Sequence, residues 1–251
     1  MTEQGNAANL RRGQRLVEVE PFVFQDSDHV SLQFRVGEIQ SRMSKSDPHR
    51  LVLPYTRTMT TFTVFQEDPR RIAIIGLGGG SMAKWCYRHL PASQITVVEI
   101  NAKVIALRDR FSIPADDERF CVLCGDGADY VLRAAHLPEV LLPEVLLVDG
   151  FDLHGQPPQL CSQMFYDDCY RALAPEGLFV ANLCGAEDRR AIERIRRTFG
   201  GHVLVAAPED DGNTVVFALK GERLWRSDRS VPELVSKLRA RLGHAPYRIE
   251  V

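Results

Sequence analysis

Asp149 and Asp152 stand three residues apart, directly after the apolar run Val145–Val148. A carboxylate that closes a buried strand faces the crevice at that end of a sheet. A second carboxylate in the same glycine- and proline-containing loop can face the same point. Such a pair attracts a cationic amine and accepts its proton. Both residues also have a structural reading, as loop caps or salt-bridge partners. His154 shares the loop and reads as incidental.

A glycine loop and two further acidic residues lie upstream. The run Ile72–Ile75 ends in Gly76-Leu-Gly-Gly-Gly80, and a helix pattern, Met82–Leu90, follows at once. Strand, glycine loop and helix in that order let backbone N–H groups approach a ligand closely. Gly76, Gly78 and Gly80 are therefore candidate nucleoside-binding positions. The loop is an incomplete dinucleotide fingerprint, because Ser81 stands where its third glycine would fall. Its other reading is a tight strand-to-helix turn. Glu99 closes the next apolar run, about 20 residues later. It suits the two hydroxyls of a ribose, or a cap for the helix starting at Asn101. Asp126 and Gly127 close the third run, where Asp126 suits both a ligand contact and the N-cap of a helix over Ala128–Ala134.

Strands must deliver these residues to one edge. From Arg71 the pattern predicts strands at Ile72–Gly76, Ile95–Ile100, Phe120–Leu123, Val145–Val148, Leu178–Asn182, Val203–Ala206 and Thr214–Leu219, with helical segments between the first six. That alternation predicts an α/β fold: a doubly wound, mostly parallel, seven-stranded Rossmann-like sheet. The turn Asp210–Asn213 makes the last strand half of a terminal antiparallel hairpin. This layout resembles that of class I S-adenosylmethionine-dependent transferases more than that of the all-parallel dehydrogenases. Alternating residues between Leu16 and Met43 predict a small amino-terminal antiparallel β region. Tyr55–Phe65 is read as helical. The expected divisions are 1–14 disordered, 15–54 the small β region, 55–220 the nucleoside-binding catalytic domain, and 221–251 a helical tail with an amphipathic segment at Val231–Leu242.

The 251 residues are 45% hydrophobic and 25% charged, with a formal charge of −2. That is a soluble globular balance with no general attraction to nucleic acid or anionic membrane. The arginines at 189, 190, 194, 196 and 197 read as a solvated helix face. The six cysteines read as buried, reduced thiols. Cys121 and Cys124 have C-x-x-C spacing but no second ligand pair, so no metal is expected. Met1–Gln14 is polar, and no apolar run approaches the ~20 residues of a membrane span. The expected compartment is the cytoplasm.

Ile74-Ile-Gly-Leu-Gly-Gly-Gly80, Val97-Val-Glu-Ile100, Gly125-Asp-Gly127 and Asp149-Gly-Phe-Asp-Leu-His-Gly155, in this order, resemble the spermidine synthase (polyamine aminopropyltransferase) family. Leu160-Cys-Ser-Gln-Met-Phe-Tyr166 and Leu173-Ala-Pro-Glu-Gly-Leu178 are also similar, as is Gly37-Glu-Ile-Gln-Ser41 to the family's small amino-terminal domain. The resemblance implies transfer of an aminopropyl group from decarboxylated S-adenosylmethionine to a small-molecule amine, without a metal, by a homodimer. It places Glu99 on the ribose, Asp126 on the adenine, Asp149 beside the attacking amine and Asp152 next to it. Gln40 and Tyr55 match further donor or acceptor contacts. The chain also departs from the family. Gly79 stands where the glycine loop carries a polyamine-holding Asp, Gly150-Phe151 separates the two aspartates, and Asp210 replaces an acceptor-contacting Tyr. The donor half is kept and the acceptor half rewritten. Two rivals stay open: a methyltransferase using S-adenosylmethionine itself, and a non-catalytic homologue that kept the nucleoside pocket. A nicotinamide dehydrogenase ranks behind both, since Asp126 has no role there.

Overall fold

A computed structural model describes residues 19–185, 188–208, 212–222, 231–242 and 247–250. The amino-terminal alternation forms a three-stranded antiparallel sheet of β1 (Phe22–Gln25), β2 (His29–Arg35) and β3 (Glu38–Ser44). Helix α1 (Pro54–Thr60) follows, with proline in its first turn where a missing N–H is harmless, and runs into a 3-10 turn, Thr61–Val64. The Thr-rich stretch is thus helical as expected. Its hydroxyls donate to carbonyls one turn back, Thr56 to Leu53 and Thr61 to Thr58, both at 2.6 Å.

The main sheet then builds by alternation. Its strands are β4 (Arg71–Ile75), β5 (Gln94–Glu99), β6 (Phe120–Cys124), β7 (Val145–Val148), β8 (Leu178–Leu183), β9 (Val203–Pro208), β10 (Thr214–Leu219) and β11 (Tyr247–Glu250). Their order is β11-β9-β10-β8-β7-β4-β5-β6. The five from β6 to β8 in that order are parallel, and β10 runs antiparallel to both β8 and β9. The sheet has eight strands, not seven. The extra one, β11, pairs antiparallel with β9 at an edge, so the tail is not purely helical. Four residues are too short for alternation to mark a strand against a helical background.

Helices α2 (Ser81–His89), α3 (Ala102–Ile105), α4 (Gly127–Ala134), α5 (Gln163–Ala172), α6 (Asp188–Thr198) and α7 (Val231–Leu242) connect and cover the strands. Successive strand residues bury on opposite faces. Ile72 and Ile74 join one core with Met82, Cys86 and Leu238, and the inner face of the small sheet through Val30 and Leu32. Ala73 and Ile75 join the other with Val131, Phe165 and Ile195. Both faces of the sheet are therefore covered, which is why its strands read as continuous apolar runs. The chain reverses direction across the sheet between β4 and β7. That switch point opens a crevice at the strands' carboxyl ends.

Among the described residues no helix is long and apolar enough to cross a membrane. All six cysteines are free, but only Cys86 and Cys169 are buried; Cys124 and Cys184 are exposed. Cys124 surfaces because it ends β6, the sheet's outermost strand on that side. Asp210 and residues 1–14 lie outside the described residues.

Candidate active site

Gly76 leaves β4 at the switch point, beside the residue that leaves β7. A Cβ at Gly76 would lie 2.2 Å from the Asp149 carbonyl oxygen, and its φ is +96°. No side chain fits there, so the two loops are in backbone contact. Asp149 N–H donates to the Ile75 carbonyl at 2.9 Å, which fixes the start of its loop.

The Asp149 carboxylate is held from two sides. Tyr55 OH, in the first turn of α1, donates to Oδ2 at 3.1 Å, and Asn182 Nδ2, near the end of β8, donates to Oδ1 at 2.8 Å. Asn182 is buried and accepts in turn from Asn213 Nδ2 at 3.0 Å. Burial pushes the Asp149 carboxyl above its ordinary value, while the bonds from Asn182 and Tyr55 oppose that by favouring the ionised form. Burial, then Asp149 itself, pushes the Tyr55 phenol well above its ordinary value, so Tyr55 stays a donor. Asp152 organises its own turn. Its carboxylate accepts from His154 N–H at 2.6 Å, and its N–H donates to Gly155 O at 2.8 Å.

Glu99 ties the glycine loop to the next helix. Its two oxygens accept from Leu77 N–H and Asn101 N–H, both at 2.9 Å. An ionised carboxylate offers about four acceptor sites, and Leu77 and Asn101 take one on each oxygen. Burial raises the Glu99 carboxyl, and backbone N–H groups, Leu77 first, pull it back. The cap of α3 is Asn101 and not Glu99, since Asn101 Oδ1 accepts from Lys103 N–H. Asp126 is the N-cap of α4, accepting from Ala128 N–H at 2.7 Å. Its other oxygen has no part in that bond.

One cavity of about 1360 Å³ joins these groups. Gly76, Gly78, Glu99, Asp126 and Gly127 line one part of it, and Asp149, Asp152, Tyr55 and Asn182 another. Gln40 lines it too, with its neighbours Glu38, Ile39 and Ser41, and is the extra residue of a β3 bulge, since Leu32 pairs with Ser41 and Gln33 with Ile39. A bulge re-aims a side chain. Gly80 lies outside the lining and packs as the N-cap of α2 against Ile113. A Cβ at Gly79 would meet Ser41 Oγ at 2.7 Å and the Phe111 ring at 2.8 Å, so the β3 segment takes the space an acidic side chain would need. Asn182 and Asn213 carry no candidate role in the sequence reading. One polar residue inside the run Leu178–Leu183 is the signal that marks Asn182. Among the described residues no group of three or more metal-ligating side chains is assembled.

The spermine/spermidine synthase domain model matches residues 52–203. The chain belongs to the spermine/spermidine synthase family. A polyamine aminopropyltransferase of Neisseria meningitidis is 38% identical over 194 residues, 76% of this chain and 72% of its own length. One from Chromobacterium violaceum is 35% identical over 240 residues, 93% of this chain and 89% of its own. A probable spermidine synthase from Corynebacterium glutamicum has a similar fold, with TM-score 0.75 and 23% identity over 92% of this chain and 86% of that one. The match reaches from the segment before α1 to the start of β9, so it spans every loop of the cavity that follows β4, β5, β6 and β7.

Proposed function

We propose that this member of the family moves the aminopropyl group of decarboxylated S-adenosylmethionine to the nitrogen of a small amine. The carrying observation is the single cavity that joins the Glu99 and Asp126 loops to a carboxylate held by Tyr55 and Asn182. Glu99 would take the ribose hydroxyls and Asp126 the adenine amino group, with Gly76, Gly78 and Gly127 leaving room for the nucleoside.

The sulfonium makes its own leaving group. The amine lone pair attacks the aminopropyl carbon attached to sulfur, the C–S bond breaks, and its electron pair stays on sulfur as a neutral thioether. The products are the alkylated amine and methylthioadenosine. An amine with an ordinary ammonium pKa arrives protonated and has no lone pair to use. A carboxylate beside the acceptor attracts that cation, and the nearby sulfonium disfavours a second positive charge, so the proton passes to Asp149. Catalysis is then alignment plus deprotonation. Asp152, with its carboxylate in a tight turn, adds negative potential for the incoming amine. The space filled at Gly79 supports a changed acceptor. A homodimer is part of the proposal on the family resemblance alone.

The family match does not favour the methyl-transfer reading. Mass spectrometry of products after incubation with each donor and a panel of amines tests this directly. Amines heavier by one aminopropyl group, formed only with the decarboxylated donor, are expected. Amines heavier by one methyl group from intact S-adenosylmethionine would overturn the reading.

A further inference from the structure

A second concavity, of about 520 Å³, lies beside the catalytic cavity and shares two lining residues with it, Arg57 and Arg241. Its charged wall comes from four places, and the 3-10 turn adds Thr61 and Thr63. The segment between β3 and α1 supplies His49 and Arg50, α1 supplies Arg57, α2 supplies Arg88 and His89, and α7 supplies Arg241. One acid, Asp47, shares the lining, and it accepts the His49 backbone N–H at 3.2 Å. Among the described residues none of the four arginines has an ion-pair partner, and Arg57 makes only a long bond, 3.4 Å, to the Leu51 carbonyl.

Four cations against one carboxylate in a concave site repel one another unless an anion sits among them. His49 points the same way. Burial, followed by Arg88 and Lys84, pushes its imidazole below the ordinary value, and its Nδ1 is buried without a hydrogen-bond partner. A buried polar atom that the protein leaves unpaired can hydrogen-bond to a bound group or a water. The Trp85 and His89 rings lie alongside, tilted 35° to each other with centroids 4.9 Å apart.

We propose that this concavity binds a small phosphate-bearing anion, and that Arg57 and Arg241, which line both concavities, couple its occupancy to the catalytic cavity. Guanidinium groups match phosphate oxygens in bidentate pairs, and the volume suits a small molecule. The coupling rests on the proposed transfer. Two unpaired arginines repel a cationic amine, and a bound anion cancels that repulsion. The same linkage makes the amine strengthen anion binding.

Calorimetric titration of the full chain with inorganic triphosphate, at constant ionic strength, is the test. One saturable site is expected. Arg50→Gln and Arg88→Gln, at exposed positions lining only this concavity, should each weaken it by about tenfold without changing amine KM in the absence of anion. Titration with ATP separates the sources. Tighter binding than triphosphate means a nucleotide stacked on Trp85, and equal binding means phosphate alone. No saturable heat, or equal affinity in both variants, would overturn the site. Saturating triphosphate should also lower the wild-type amine KM at least about fivefold. An unchanged KM would overturn the coupling. The binding arm needs no transfer activity, so failure of the proposed reaction would be visible separately.

Discussion

As the proposed base, Asp149 has to stay ionised although burial favours its neutral form. Its two donors resolve that conflict, because a carboxylate that accepts hydrogen bonds from a phenol and an amide keeps its charge and its orientation. This fixes the sign of a pH effect. As a base, Asp149 works only above its own pKa, so kcat/KM should rise with pH through that point, which lies above the ordinary carboxylate value. Tyr55→Phe and Asn182→Ala each remove a bond that favours the charged form. Each should move this acid limb up by about one pH unit. A pH–rate series on both variants checks it, and a limb that stays in place would show that Asp149 is not the titrating base. Asp149 was legible in sequence because a charge directly after four apolar residues is conspicuous. Asn182 was not, because an amide inside an apolar strand looks like any tolerated polar residue until its partner 33 positions away is known.

At the scale of elements, the site is a set of strand ends, and the strand ends were readable. Parallel strands produce the apolar runs at Ile72, Ile95, Phe120 and Val145, and a glycine or an acidic residue at or soon after each run's end marks where the chain leaves the sheet. Two things escaped that reading. The β3 bulge at Gln40 is a register event between strands, and a single strand's alternation does not show it. The packing of Gly79 under Ser41 and Phe111 depends on segments brought together only by the fold. The contact between the first and fourth loops gives a sharp test. Gly76→Ala would press a methyl group into the Asp149 carbonyl at a positive φ. A loss of about 2 kcal/mol or more in a urea titration is expected, together with impaired turnover, because the displaced backbone carries Asp149. Unchanged stability would show that the two loops are not in contact.

For the whole molecule, two cores clamp one sheet, and a charge sits within one of them. Lys84 on α2 is 1% exposed and donates to the Phe111 carbonyl at 2.7 Å. Burial pushes its ammonium down to about 8, from an ordinary 10.5. The folded chain therefore releases this proton before the unfolded chain does. Between pH 8 and 10.5 the unfolded state binds more protons, so stability rises with pH over that window. Compared with Lys84→Met, which has no such proton, the wild type should gain on the order of 3 kcal/mol from pH 8 to 10.5. Paired urea titrations at the two ends measure the difference. A gap that does not change with pH would mean the ammonium is not desolvated. The eighth strand belongs to this scale as well, since β11 joins the sheet through β9 and its place depends on tertiary pairing more than on local pattern.

The central claim is a division of labour within one cavity: Glu99 and Asp126 hold the nucleoside, and Asp149 takes the proton. Asp149→Asn separates the two jobs, because it keeps the size of the side chain and removes the base. Turnover with decarboxylated S-adenosylmethionine and the accepted amine should fall at least about 100-fold. In the same variant the dissociation constant for methylthioadenosine, measured by calorimetry, should stay within about twofold of wild type. Retained turnover, or loss of nucleoside affinity in parallel with turnover, would contradict the account.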